Sequence, residues 1–385
     1  MNVPKLRFKE FNDEWIETKI QNVATVVGGG TPSTDEPKYW GNEINWFTPS
    51  EIGKTKYVTI SNRKISQNGL KNSSAKLLPN GTILLSSRAT VGEASILLNE
   101  ASTNQGFQSL IVNENNCNEF IYYLKYKYKR EMLIKSFGST FLEISKSNVE
   151  NIKIKIPSKE EQFKIANFLS LLDKKIELQS KKIEDLKLFK LYMENQFIFK
   201  DDASYIEYKL RDILIEGNKT PVVDTSKYQK LTIKLNLKGL EFNESQKEMS
   251  DKRPFYVRDE NELIIGKQNY FNGSIAIVDK KYAGGICSNA IMSFKAKDGF
   301  DIKYIYLYLS QKSYMKQREF LANGTGQKEL SEKEFLNFSI RIPSDNKVKK
   351  IIKNVNCISK KILLEKNKLN KLIELKRGLM QNMFV

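Results

Sequence analysis

Residues 158–200 read SKEEQFKIANFLSLLDKKIELQSKKIEDLKLFKLYMENQFIFK. Apolar residues recur there at spacings of four and three, through Ile165, Leu169, Leu172, Ile176, Ile183, Leu186, Met193 and Phe197. That is the heptad seam of one long helix. Adding 186 to each number lands on Ile351, Val355, Ile358, Ile362, Leu369, Leu372, Leu379 and Met383. The shift needs no gap, and it also carries Pro157-Ser158 onto Pro343-Ser344, Glu143 onto Glu329, Ser145 onto Ser331 and Asn151 onto Asn337. The interruptions repeat as well: Gln179 falls on Glu365 and Lys190 on Lys376. The polar pair Gln179 and Glu365 either sets helix register or sits at the solvent edge of the seam.

Such a seam has to be covered, because each buried Leu or Ile contributes about 1.5–3 kcal/mol. Two partners are available: the body of the helix's own domain, or the other helix. Two stripes in one register, each following an Ile-Pro-Ser hinge, favour an antiparallel pair. About forty residues at 1.5 Å each make a rod of roughly 60 Å, enough to hold two bodies apart. The expected fold class is therefore α+β: two similar β-rich domains separated by a pair of long antiparallel helices, a pseudo-twofold internal repeat. The boundaries are residues 1–157 for the first domain, 158–200 for the first helix, 201–343 for the second domain and 344–385 for the second helix.

Composition narrows the function. The chain has 385 residues and a formal net charge of +18, which points to a polyanionic partner. Histidine is absent, which removes Ser-His-Asp and Cys-His hydrolysis and any His general base. Cys117, Cys287 and Cys357 lie far apart, as expected of reduced, buried thiols in a cytoplasmic protein rather than metal ligands. No apolar run approaches the length of a membrane helix.

The N-terminal lead-in carries Leu6, Phe8, Phe11 and Trp15 to lay on the first domain. In VVGGGTPST, Ser33 stands where a dinucleotide fingerprint needs its last Gly, so Gly28-Gly29-Gly30 is either a phosphate contact or a surface loop. Gly53-Lys54-Thr55 resembles the tail of a phosphate-binding loop, but position 48 is Thr where Gly is required. Tyr39–Ser50 gathers four aromatics among turn residues, suggesting short irregular strands. A buried strand, Ile83-Leu84-Leu85, runs into the polar loop Ser86–Thr90, and a second loop spans Ser102–Gly106. Arg88, Thr90, Asn104 and Gln105 are thus candidates for DNA contact, since Arg, Asn and Gln make bidentate contacts to bases, although the same residues are ordinary loop formers. A helix with many Tyr and Lys residues follows over Phe120–Lys135, and Gly138-Ser139-Thr140 leads back to the hinge.

The second half repeats this order. Tyr205–Leu210 echoes Trp15–Ile20, Leu263-Ile264-Ile265 is the inner strand, and Gly266–Tyr270 takes the place of the first polar loop. Ser288-Asn289 replaces Thr103-Asn104, Tyr304–Tyr314 replaces the Tyr-rich helix, and Gly324-Thr325-Gly326-Gln327 matches Gly138 onward. The corresponding candidates are Lys267, Gln268, Asn269, Tyr270 and Asn289. Like frameworks with unlike loops suggest one task performed on two targets.

At this level the chain resembles the specificity subunit of type I restriction-modification systems. The likeness is carried by VPKLRFKEFNDEW, GGGTPST…YWGNEINWFTPSEI, TNQGF at 103–107, IPSKEEQFKIANFLSLLDKKI at 156–176, the second IPS…ISKKI, and the ending LKRGLMQNMF. The second half lacks the GGGTPS and NQGF motifs. The resemblance implies two target-recognition domains, each reading one part of a bipartite double-stranded DNA target, and no catalytic activity or cofactor in this chain. It also implies two modification (methyltransferase) subunits using S-adenosylmethionine and two restriction (motor-nuclease) subunits using ATP and Mg2+. No Asn-Pro-Pro-aromatic methyltransferase motif is present, and Asp345-Asn346-Lys347 is the kind of triplet a Lys-rich chain produces by chance. The alternative function is a non-catalytic scaffold that docks partners through its helices.

Overall fold

The computed structural model describes residues 3–136, 142–198, 204–243, 253–321 and 329–385. The repeats Gly138-Ser139-Thr140 and Gly324-Thr325-Gly326-Gln327 lie outside them. The chain divides into two compact units, residues 1–181 with 366–385, and residues 182–365.

In the first unit, a five-stranded sheet has the order Ala24–Gly28, Gln108–Val112, Ile83–Leu85, Ala94–Leu97, Tyr57–Val58. A three-stranded sheet sets Trp40–Phe47 between Arg63–Ile65 and Ala101–Thr103. Ile83, Leu84 and Leu85 are fully buried; an uninterrupted apolar run of this kind suits a strand covered on both faces. The helix Asn118–Ile134 packs its Phe120, Tyr123 and Tyr128 into the same core. Trp15 is buried there too, edge-on to Phe120 and Phe384 with ring centroids at 5.8 and 6.3 Å.

The second unit has a four-stranded sheet of Leu214–Glu216, Ile291–Ala296, Leu263–Gly266 and Ile275–Ile277. Its Tyr-rich stretch is two helices, Ile302–Leu309 and Lys312–Arg318, rather than the single one expected over Tyr304–Tyr314. The break falls at Ser310-Gln311, where Gln311 is extended and its side-chain amide donates to the Leu307 carbonyl at 3.0 Å. In both units the two ends of the domain close in an antiparallel ribbon. Ile16 pairs with Ile156 and Ile206 with Ile342, and the residue after each first strand bonds back, Ile20 N–H to Ile152 and Leu210 N–H to Phe338. The shift of 186 relates 156 to 342 and 152 to 338.

The long helices span Lys159–Ile198 and Asp345–Asn382. All of the seam residues from Ile165 to Leu186 and from Ile351 to Leu372 are buried or half-buried. Their partner differs from the expectation at one end: Ile165 and Leu169 belong to the core of the first unit, and Ile351 and Val355 to that of the second. A helix entering straight from the hinge at Pro157 or Pro343 lies against the body that precedes it. In the first unit Met380, Met383 and Phe384 join Ile165 and Leu169 in that core, while Asp173 pairs with Lys376. Rising numbers on one helix thus meet falling numbers on the other, so the two run antiparallel. Glu365 is buried and paired with Lys182 at 2.9 Å, so this interruption of the seam is an ion-paired position. Cys117 and Cys287 are buried free thiols as expected, whereas Cys357 is exposed on its helix.

A polar cluster ties the first long helix to its domain. Lys56 Nζ donates to Glu119 (2.9 Å), Ser170 (2.6 Å) and Tyr123 (3.1 Å), and the Tyr123 hydroxyl donates to Asp173 (2.6 Å). Nearby, burial pushes the Lys125 amine down to about 8; it lies 4.1 Å from the Tyr122 ring centroid. An unfolded Lys holds its proton to about pH 10.4, so between pH 8 and 10 this lysine contributes stability that rises with pH, against the buried Cys117 and Cys287 thiols, which burial raises and whose contribution falls over the same range. Above about pH 10 stability falls further, because burial raises the Tyr57, Tyr122 and Tyr123 hydroxyls and the folded chain then holds more protons. Lys125→Met is expected to make stability fall more steeply between pH 8 and 10 and to raise it at pH 7, read from urea unfolding at each pH.

Candidate nucleic-acid interface

In the first unit, strand Ile83–Leu85 ends in the loop Ser86–Thr90 and strand Ala101–Thr103 ends in Asn104–Gly106. Backbone hydrogen bonds join the two loops, Ser87 N–H to the Gly106 carbonyl at 2.8 Å, and Ile144 N–H then caps Ser87 at 3.0 Å. The second unit repeats the arrangement with other residues. Lys267 N–H donates to Ala290 at 3.0 Å, and Leu330 N–H donates to Lys267 at 2.9 Å. Candidates far apart in sequence, Arg88 with Asn104 and Gln105, and Lys267 with Asn289, are thereby brought onto shared surfaces.

Within these loops the side chains have different fates. Thr90 and Gln105 are exposed, and Asn104 is half-buried with its Oδ1 accepting from Gly106 N–H at 2.9 Å. Arg88 is held by Glu143, at 2.6 Å from Nη2 and 3.1 Å from Nε, so any DNA contact has to compete with that carboxylate. In the second unit Gln268, Asn269 and Asn289 are exposed, and Lys267 lies 3.6 Å from Glu332. Tyr270 is a correction: it is fully buried, its hydroxyl donates to the Leu309 carbonyl at 2.8 Å, and it packs edge-on to Phe335. A large aromatic at the end of a polar loop is pulled into the core once its hydroxyl finds a carbonyl there. It offers no surface to DNA.

The glycine loop also resolves. Gly30 N–H donates to the Thr103 carbonyl at 2.9 Å, and Thr31 Oγ1 donates to Gln105 Oε1. A Cβ on Gly29 would lie 2.0 Å from the Asn104 carbonyl oxygen, and one on Gly30 would lie 2.3 Å from Ala75 N. These glycines allow two backbones to touch, which explains them without a phosphate. The loop is held from its other side by Trp46, whose indole N–H donates to the Gly30 carbonyl at 2.9 Å, and by Trp40, whose N–H donates to Ser33 at 3.0 Å.

Sequence reading missed a cleft of ≈ 290 Å³ in the second unit, lined by Lys230, Asn243, Arg253, Lys267, Gln268 and Asn269. Three cations and three amides from separate segments converge there. Only Lys267, Gln268 and Asn269 follow the inner strand in sequence; the others come from neighbouring strand ends that no periodicity marks. Among the described residues no cluster of Cys, Asp or Glu is arranged to hold a metal ion, and no helix is long and apolar enough to cross a membrane.

The fold and these surfaces define an internally duplicated α+β protein whose two units each present a joined pair of polar loops. The chain belongs to the family of the type I restriction modification DNA specificity domain, whose model matches it twice, over residues 12–188 and 204–375. It is 41% identical over 190 residues to the type I restriction enzyme MjaIX specificity subunit of Methanocaldococcus jannaschii, covering 48% of this chain and 44% of that protein. It is 28% identical over 175 residues to the EcoR124I/EcoR124II specificity subunit of Escherichia coli, covering 44% and 43%. The matched stretch is thus less than half the length of either relative. Two solved structures share the fold across nearly the whole chain. The S subunit of a type I restriction-modification system from M. genitalium has TM-score 0.59 at 17% identity, covering 100% of this chain and 99% of that one. A chain from a study of complex assembly and conformational transition of the type I restriction-modification system has TM-score 0.61 at 14% identity, covering 98% and 99%.

Proposed function

We propose that this chain is the DNA-reading, non-catalytic subunit of a cytoplasmic type I restriction-modification complex, each half reading one part of a bipartite target. The observation that carries this is the repeated loop junction, Ser87 with Gly106 and Ile144 against Lys267 with Ala290 and Leu330, which presents different side chains on one framework. Residues 1–157 and 201–343 then act as target-recognition domains, and the helices, 158–200 and 344–385, as the spacer that fixes half-site separation. The net charge of +18 supports phosphate attraction independent of sequence, which weakens steeply with salt. Of the sequence candidates, Arg88, Thr90, Asn104 and Gln105 remain for the first half-site, and Lys267, Gln268, Asn269 and Asn289 for the second.

Two modification subunits and two restriction subunits would supply the chemistry, with S-adenosylmethionine, ATP and Mg2+ bound on them. Their docking is supported by large apolar side chains left exposed on the long helices: Phe163, Leu171 and Leu178 in the first unit, and Leu188, Leu363 and Leu364 in the second. The test is a genome-wide map of methylated adenine in the source cell with the gene intact and deleted. A two-part motif that disappears only on deletion is expected. If the partner subunits are expressed and no motif disappears, the scaffold reading takes its place.

A further inference from the structure

The cations around the first unit's loops differ in what holds them. Arg88 is committed to Glu143. Arg63, on the edge strand of the three-stranded sheet, is exposed, and among the described residues it forms no ion pair and donates no side-chain hydrogen bond. Its guanidinium carbon lies over Trp40, 3.6 Å from the ring centroid, and 5.5 Å from that of Trp46. The indoles themselves are fixed. They meet edge to face at 90° with centroids 5.2 Å apart, and both N–H groups are bonded to the glycine loop. Trp46 stands opposite Arg63 on one side and opposite Ser102 on the other. A chain of contacts therefore runs from Arg63 through Trp40 and the buried Trp46 to the glycine loop, and from Thr31 to Gln105. The second unit has no tryptophan, the third being Trp15 in the first unit.

We infer that Arg63 is a specificity residue, reading a guanine in the half-site of the first unit; the inference rests on the function proposed above. Contact with Trp40 covers one side of the guanidinium, and the exposure of Arg63 leaves its N–H donors open to a ligand. A guanine presents two acceptors, O6 and N7, side by side in the major groove, and a planar fork matches them in one orientation. A phosphate also accepts an Arg fork bidentately, but it carries no sequence information, so only loss of discrimination at one base pair marks a base contact. The exposed amide of Gln105, at the far end of that chain of contacts, is suited to an adenine of the same half-site.

The test uses the full chain with its partner subunits in the source cell, mapping methylated adenine for the wild type, Arg63→Ala and Arg63→Lys. Both variants are expected to relax one G·C position in one half of the motif, with discrimination there falling roughly 5–150-fold. The other half, read by the second unit, should stay unchanged and reports that the complex is folded and assembled. Arg63→Lys keeps the charge but not the fork, and a lysine still reaches O6 and N7, so it should relax the position less than Arg63→Ala; a stronger relaxation in Arg63→Lys than in Arg63→Ala overturns the inference. So does an unchanged motif in Arg63→Ala, or methylation lost at every site in both variants. A wild-type chain that directs no two-part motif defeats the proposed function itself; a two-part motif indifferent to Arg63 defeats only this inference.

Discussion

Gly29→Ala is expected to abolish reading by the first unit and to destabilise that unit by about 1–3 kcal/mol or more, the range of overpacking in a filled interior. The added Cβ would lie 2.0 Å from the Asn104 carbonyl oxygen and 2.5 Å from that of Thr103. Neither atom can turn aside, since both belong to the backbone. Thr103 is held by Gly30 N–H at 2.9 Å, and Asn104 N–H by the Phe47 carbonyl at 3.1 Å. Relief comes only by opening the contact between the glycine loop and residues 103–106, which moves Asn104 and Gln105 off the shared surface. Gly28→Ala is the control, because a Cβ there meets nothing nearer than 3.7 Å, ordinary van der Waals contact. Urea unfolding together with the methylation map separates the two variants. Equal behaviour would mean that the close approach of the two loops does not matter.

The contrast between these two glycines shows what the sequence could and could not reveal. A run of three suggests a loop, but which of them touches a second backbone depends on a partner segment seventy-odd residues away, and no local pattern encodes that. The duplicated framework was legible because it is written in periodicity: the heptad seams, the inner strands Ile83–Leu85 and Leu263–Ile265, and the shift of 186 all survive into geometry. Seam ends were less so. Ile165 and Ile351 look the same whether they face a helix or a sheet, and both face their own domain's core. The loops were legible as loops and poorly as sites. Tyr270 reads as polar-loop chemistry until a buried carbonyl captures its hydroxyl. Arg63 reads as an ordinary strand charge until Trp40 is found beneath it. Strand pairing brings such residues together, and pairing between distant segments is what a single sequence specifies least directly.

In the second unit, Glu262→Ala is expected to cost about 3–5 kcal/mol, because it strands a buried cation. Glu262 and Arg258 are almost fully buried. Glu262 Oε2 accepts from Ser293 Oγ at 2.6 Å and lies 3.9 Å from Arg258 Nη1, while Lys295 Nζ approaches Oε1 to 3.6 Å. Arg258 Nη1 donates to the Asn218 carbonyl at 3.1 Å, but among the described residues its Nε finds no acceptor. Glu262 is therefore the near charge that offsets burial of the guanidinium. Glu262→Gln keeps the bulk and the acceptor for Ser293 and removes only the charge, so it should fall between wild type and Glu262→Ala. Replacing both residues with apolar ones, Arg258→Met with Glu262→Leu, should recover much of the loss, since a buried pair swapped whole is often neutral or stabilising. Chemical denaturation of the full chain gives the ordering. If the double variant were no more stable than Glu262→Ala, the cost would lie in packing or in the Ser293 bond rather than in the stranded charge. On the proposed function the position bears on reading too: Glu262 immediately precedes the strand Leu263–Gly266 that delivers Lys267, Gln268 and Asn269 to their cleft. A chain weakened there should lose the second half of its motif at temperatures where the first half is still methylated.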